Sequence, residues 1–248
     1  IMNVSIENDI KIIQMGEKGA NVLSVTRAKE IMAELNYEEC KAVIIMGNEK
    51  VFSAGLNLKD LMNAKEEKEV ALIFNTLGDL LRSFREFPGP VISIVSGHAI
   101  AGGCLMALAS DYRYGMFGMH RMGLNEMAIG IDLPPDMLSI ISHSISRENL
   151  FEVATQCKMY TPKQAHKKGL INEYIGNPFI GKKRAAAEAL KRAKKLARFY
   201  INAGEPFVRL KQSLMHDTAF DYDVLISNWF SAETQAKIKK VMSTFSKK

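Results

Sequence analysis

The chain has 248 residues, 47% of them hydrophobic and 24% charged, with a formal net charge of +6. That composition argues against a disordered chain and suffices for a sizeable core, and no apolar run approaches the roughly 20 residues that span a bilayer. Three widely spaced cysteines, Cys40, Cys104 and Cys157, argue against a disulfide framework or a cysteine metal cluster and point to a reducing compartment. The opening IMNVSIENDIKII lacks the basic start and long apolar stretch of a secretory signal and reads as strand. IKIIQM and KAVIIMG are brief and β-branched, hence strands, and between them Ala28, Ile31, Met32 and Leu35 share one helical stripe. VFSAGLNLKDL (51–61) ends a strand in a small-residue turn and then starts a helical turn. Val70, Ile73, Phe74, Leu77, Leu81 and Phe84 follow a helical period until FPGP stops it, and VISIVSG is the next buried strand. In YTPKQAHKKGL, Thr161 suits an N-cap, Pro162 the first helical position, Gln164 the capping box and Gly169 the helix end. LINEYI is strand-like. The remainder reads as helices, the last with Ile238, Val241, Met242 and Phe245 on one stripe.

Much of the positive charge lies in KKRAAAEALKRAKKLAR (182–198). It fits a solvated helix face, attraction of a phosphate-bearing small ligand, or nucleic acid, though no aromatic platform supports the last. Three other segments carry chemistry. In VFSAGLNLKDL and in AIAGGCLMALASDYR (99–113), an apolar strand ends in glycines before a helix begins. Backbone N–H groups left free at such a junction can bind an oxyanion, and Gly102 and Gly103 would let a carbonyl approach; tight helix packing is the plain alternative. MGLNEMAIGIDLPP (122–135) places the single acid Glu126 among apolar residues, either as a solvent-facing turn residue or as a buried acid with a chemical role.

Together these segments resemble the crotonase (enoyl-CoA hydratase/isomerase) superfamily. FSAGLNL looks like its first oxyanion loop, SGHAIAGGCLMALASDYR its second loop and following helix, GLNEMAIGIDLP its acid-bearing loop, and TPKQAHKKGLINEYI its later helix and strand. The resemblance implies an α/β fold, a crotonase (ClpP-like) spiral of ββα units over residues 1–185, with a helical region over 186–248 that mediates trimer formation. It also implies acyl-CoA substrates, with coenzyme A part of the substrate and no separate cofactor or metal. The backbone N–H groups of Leu56 and Gly102 would hold the thioester oxygen. Ala54, Gly55, Leu56, Asn57 and Leu58 would line the CoA and acyl path, with Gly103 and Asn125 also at the substrate. Asn57 stands where relatives usually carry Asp, a turn position at which either serves.

Family hydratases commonly use two glutamates, one at the position of Glu126 and one at the position of Leu105. A leucine cannot activate water. One acid beside an oxyanion hole suffices to move a double bond, and GGCLMALASDYR, GLNE and NWFSAETQAKIKKVM look like the Δ3,Δ2-enoyl-CoA isomerase branch. The resemblance thus implies conversion of 3-enoyl-CoA to trans-2-enoyl-CoA through a dienolate in fatty-acid β-oxidation, with Glu126 carrying the proton. Hydratase, decarboxylase, thioesterase and non-catalytic acyl-CoA-binding members are the alternatives. A homotrimer or hexamer is expected, without nucleic acid or membrane insertion, in the cytoplasm or in the mitochondrial matrix after removal of a targeting peptide. His98, Cys104 and Asp111 read as structural rather than catalytic, His120 and Arg121 as surface residues or as facing the acyl tunnel, and five methionines (106, 116, 119, 122 and 127) as core or as a pliable acyl wall.

Overall fold

A computed structural model of the chain describes residues 2–215 except 132 and 177, together with residues 232 and 236. Two compact units divide it, residues 1–204 and 205–248. In the first, β1 (Asn3–Glu7) and β2 (Ile10–Gln14) form an antiparallel hairpin, followed by α1 (Val25–Ala33). There follow β3 (Ala42–Met46), β4 (Val51–Ser53), α2 (Leu58–Asn63), α3 (Glu67–Glu86), β5 (Val91–Val95), β6 (His98–Ile100), α4 (Gly102–Leu108), β7 (Tyr112–Met116) and β8 (Met122–Gly123). A 3₁₀ turn over Glu126–Ile129 leads to α5 (Pro135–Ser144), α6 (Arg147–Thr155), α7 (Pro162–Lys167), β9 (Glu173–Ile175) and α8 (Gly181–Ala203). The second unit contains α9 (Glu205–Met215), and the expected stripe from Ile238 to Phe245 lies outside the described residues.

Among the described residues the strands sort into two sheets. Six form the order β1-β2-β3-β5-β7-β9, parallel beyond the first hairpin, and three form the parallel order β4-β6-β8. Each of β3, β5 and β7 belongs to the large sheet and is followed directly by a strand of the small one, then by helix. That is the expected ββα spiral.

The runs AVIIM and VISIV are apolar without alternation because both faces of the large sheet are covered. Val43, Ile45, Val91 and Val95 pack toward the side of α3 and α4. Ala42, Ile44, Ile92 and Ile94 pack toward α8. α8 lies close because Ala185, Ala189, Ala193 and Ala197, four residues apart, are fully buried. The boundary expected after residue 185 therefore falls inside α8, which belongs wholly to the first unit. The basic residues lie off this alanine stripe; Arg192 and Lys194, on either side of Ala193, pair at its borders with Glu173 and Glu188 and with Glu7. No helix of the described residues is long and apolar enough to cross a membrane.

Candidate active site

The small sheet creates the site. Its strands are parallel, with Ser53 opposite Ala99 and Ile100 opposite Gly123, so the three loops that follow leave from one edge. Ligands of α/β sheets bind at this carboxyl end. The loops carry Gly55 and Leu56, Ala101 and Gly102, and Asn125 and Glu126.

The first loop is held by its own backbone. Ala54 N–H donates to Ala20 O at 3.0 Å, and Gly55 O accepts from Leu23 N–H at 2.8 Å. Gly55 N–H donates to Ser53 Oγ at 3.2 Å, and Gly55 turns the chain at φ +83°. Asn57 then caps α2, its Oδ1 accepting from Lys59 N–H at 3.2 Å, so the amide does the work expected of aspartate there. In the second loop Ala101 N–H donates to Gly123 O at 3.0 Å, and Ala101 O accepts from Leu105 N–H at 2.9 Å. Ala101 adopts φ +50°, a left-handed conformation unusual for alanine, and turns the first amide of α4 outward. Among the described residues, neither Leu56 N–H nor Gly102 N–H donates a hydrogen bond within the protein.

The two amides face one space. A Cβ on Gly55 would lie 3.0 Å from Gly102 N, and a Cβ on Gly102 would lie 3.6 Å from Leu56 N. Gly103 serves packing instead. A Cβ there would sit 2.3 Å from Ser53 O, so this glycine lets α4 approach β4. Gly103→Ala is expected to destabilise the fold by about 3 kcal/mol, measurable as a lowered denaturation midpoint. An unchanged midpoint would contradict this packing role.

A cavity of about 780 Å³ opens over these loops, lined among others by Ala54, Leu56, Leu58, Gly102, Asn125 and Glu126. Of the expected substrate residues, Gly55, Asn57 and Gly103 support the loops from behind and do not line it. Leu105 and Leu133, from the second and third motifs, complete the wall together with Phe74, Leu77 and Gly78 of α3 and Met137 of α5, which reading the three motifs alone missed. The one signal for Phe74 and Leu77 was the amphipathic stripe of α3, which as sequence looks like core. None of the five methionines (106, 116, 119, 122 and 127) lines the cavity: Met106, Met116 and Met122 are core residues, while Met119 and Met127 face solvent.

Glu126 is 8% exposed, and neither carboxyl oxygen makes a hydrogen bond within the protein; Asn125 Oδ1 beside it is also unpartnered. Burial raises the Glu126 pKa above the usual carboxylate range. The backbone amides of Glu126 and Asn125 pull it back in part, without completing a hydrogen bond. Leu105, 1% exposed, faces the same cavity. Asp79 and Asp136 also line it but are exposed, so Glu126 is the buried acid of the described lining.

The other polar candidates stand elsewhere in the fold. Burial pushes the Cys104 thiol far up, which disqualifies it as a nucleophile. His98 Nδ1 accepts from Arg121 N–H at 3.0 Å, and burial lowers the pKa of its neighbour His120 to about 4. Asp111 Oδ2 accepts from Val91 N–H at 2.7 Å, bracing the strand rather than the site. Among the described residues no group of three or more His, Cys, Asp or Glu could hold a metal ion.

Comparisons with known proteins show the family and the fold. The sequence model of the family described as enoyl-CoA hydratase/isomerase matches residues 5–246. A probable enoyl-CoA hydratase of Bacillus subtilis is 23% identical over 227 residues, covering 90% of this chain and 84% of that protein. A mitochondrial enoyl-CoA delta isomerase of Rattus norvegicus is 28% identical over 179 residues, covering 68% of this chain and 60% of that protein. In fold, the chain is similar to an enoyl-CoA hydratase structure from Geobacillus kaustophilus, with TM-score 0.80, 21% identity and coverage of 98% and 94% of the two chains. It is also similar to an enoyl-CoA isomerase structure from Mycobacterium tuberculosis, with TM-score 0.72, 23% identity and coverage of 86% and 89%.

Proposed function

Since the chain belongs to the enoyl-CoA hydratase/isomerase family, we propose that it shifts the double bond of 3-enoyl-CoA thioesters to give trans-2-enoyl-CoA. The observation that carries this reading is the pairing of one buried acid, Glu126, with a leucine, Leu105, on the same cavity wall. Water addition needs groups that activate and orient water; an aliphatic side chain at Leu105 does neither.

A double-bond shift needs only what is present. The thioester oxygen sits between Leu56 N–H and Gly102 N–H. Glu126 removes a proton from C2, the electron pair left there delocalises into the adjacent thioester carbonyl and, through the C3–C4 double bond, onto C4, and the two amides hold the resulting dienolate oxygen. The protonated Glu126 then returns the proton at C4, leaving the double bond between C2 and C3. Nothing is consumed. Each preorganised amide donor is worth about 3 kcal/mol of barrier. The raised Glu126 pKa makes its carboxylate a stronger base, and the apolar walls limit attack by water.

Two assays test the proposal together. With a 3-enoyl-CoA substrate, absorbance of the conjugated thioester is expected to rise; with 2-enoyl-CoA, hydration is expected to be slower by at least about 10²-fold, the lower end of what general acid–base catalysis supplies. Hydration at an equal or greater rate would contradict the isomerase reading and favour a hydratase. Assembly as a homotrimer or hexamer belongs to the same proposal, and the mass of the chain in solution tests it.

A further inference from the structure

The cavity extends from the three loops to α3 and the start of α5, and part of that wall is polar. With the thioester carbonyl at Leu56 and Gly102 and the reacting carbons at Glu126, the arc from α3 to the start of α5 remains for the chain beyond C4. Two features mark that arc. The first is Gly78, in the interior of the 20-residue α3, where glycine is among the least favourable helix residues. Close packing does not explain it: beyond the helix's own backbone, the nearest atom to a Cβ there would be Asp136 Oδ2 at 3.9 Å. The glycine faces open cavity.

The second is polarity. Asn75, Asp79 and Arg82 lie within about one helical turn of Gly78 on α3, with the apolar Phe74 and Leu77, and Asp136 faces the glycine from α5. Arg82 Nη1 donates to Asp79 Oδ1 at 2.9 Å, and Asp136 Oδ1 accepts from Met137 N–H at 3.0 Å. Two carboxylates and one guanidinium thus offer this rim both hydrogen-bond acceptors and donors. A chain ending in a methyl group at this rim would desolvate charged groups without pairing them, whereas a hydroxyl can exchange hydrogen bonds with them.

We propose that the wall over Gly78, between α3 and α5, is a tail subsite that receives the distal end of a long acyl chain and favours a polar group there. This rests on the acyl-CoA reading above, but not on which reaction follows.

The test is calorimetric titration of free CoA, butyryl-CoA, decanoyl-CoA and ω-hydroxydecanoyl-CoA, none of which reacts by the proposed double-bond shift. Wild type is expected to bind the ω-hydroxy chain at least about threefold tighter than decanoyl-CoA. Gly78→Leu should weaken decanoyl-CoA about tenfold or more, while free CoA and butyryl-CoA stay within about twofold. Asp136→Ala, at an exposed position, should abolish the preference for the hydroxyl end and gives a readout should Gly78→Leu fail to fold. Equal binding of the two ten-carbon chains by wild type overturns the proposal. So does a Gly78→Leu chain that loses free CoA and butyryl-CoA as much as decanoyl-CoA, which would make this wall the CoA path, or one that keeps decanoyl-CoA unchanged. A wild-type chain that binds butyryl-CoA yet shows none of these differences leaves the acyl-CoA reading standing and removes the subsite; one that binds none of the four removes both.

Discussion

Glu126→Gln is expected to lower kcat for 3-enoyl-CoA by at least about 10³-fold, because the same carboxyl acts first as base and then as acid. Glutamine keeps the shape and buries no charge, so the loss measures proton transfer rather than packing. A stability change of opposite sense should accompany it. Burial raises the pKa of Glu126 in the folded chain, so the ionised form is the one the fold disfavours. That penalty is absent at pH below the ordinary carboxylate value, develops as pH rises through it, and is complete above the raised value. Glu126→Gln should therefore melt at a higher temperature than wild type at neutral pH and lose that advantage in acid. Activity should fall as pH drops through the same raised value, since only the carboxylate removes the C2 proton. A variant with wild-type turnover would show that another group carries the proton.

Gly102→Ala is expected to separate catalysis from folding in the same way. The added methyl would lie 3.6 Å from Leu56 N, in the space assigned to the thioester oxygen, yet its nearest neighbour is the flexible end of Leu77 at 3.4 Å. The fold should tolerate it, and alanine is the better helix former at the first turn of α4. A loss of about 10²–10³-fold in kcat is expected, as for removal of an oxyanion donor, with an unchanged or raised denaturation midpoint. Full activity would place the oxyanion elsewhere. The contrast with Gly103→Ala, where stability is expected to fall, distinguishes two adjacent glycines that look equivalent in sequence.

Much of this site was legible because loop chemistry is local. Glycines after short apolar strands, an acid among Met, Leu and Ile, and the Thr161–Gln164 capping box each announce themselves within a few residues, and the capping box is formed as read. What was not legible is set by long-range packing. β4, β6 and β8 are only two or three residues long; the glycines mark where β4 and β6 end, but their parallel pairing with β8, which gathers three distant loops at one edge, leaves no local signal. Gly55 and Gly103 both resemble ligand-approach glycines; only the folded chain, with φ +83° at Gly55 and Ser53 against Gly103, shows one to be a turn and the other a packing contact. Of the five methionines, Met106, Met116 and Met122 are core, the plainer of the two readings, while Met119 and Met127 face solvent, which spacing alone could not separate. Gly78 gave no signal, being one glycine in a helix whose apolar stripe was already accounted for.

At the centre of the mechanism one carboxyl carries one proton from C2 to C4 while two main-chain amides hold the oxygen. The most direct test supplies 3-enoyl-CoA bearing deuterium at C2 in ordinary water and locates the label in the trans-2-enoyl-CoA product by mass spectrometry or NMR. Deuterium at C4, in a share well above background and absent with Glu126→Gln, is the predicted result. Product whose C4 carries solvent hydrogen alone would contradict the single-carboxyl shuttle.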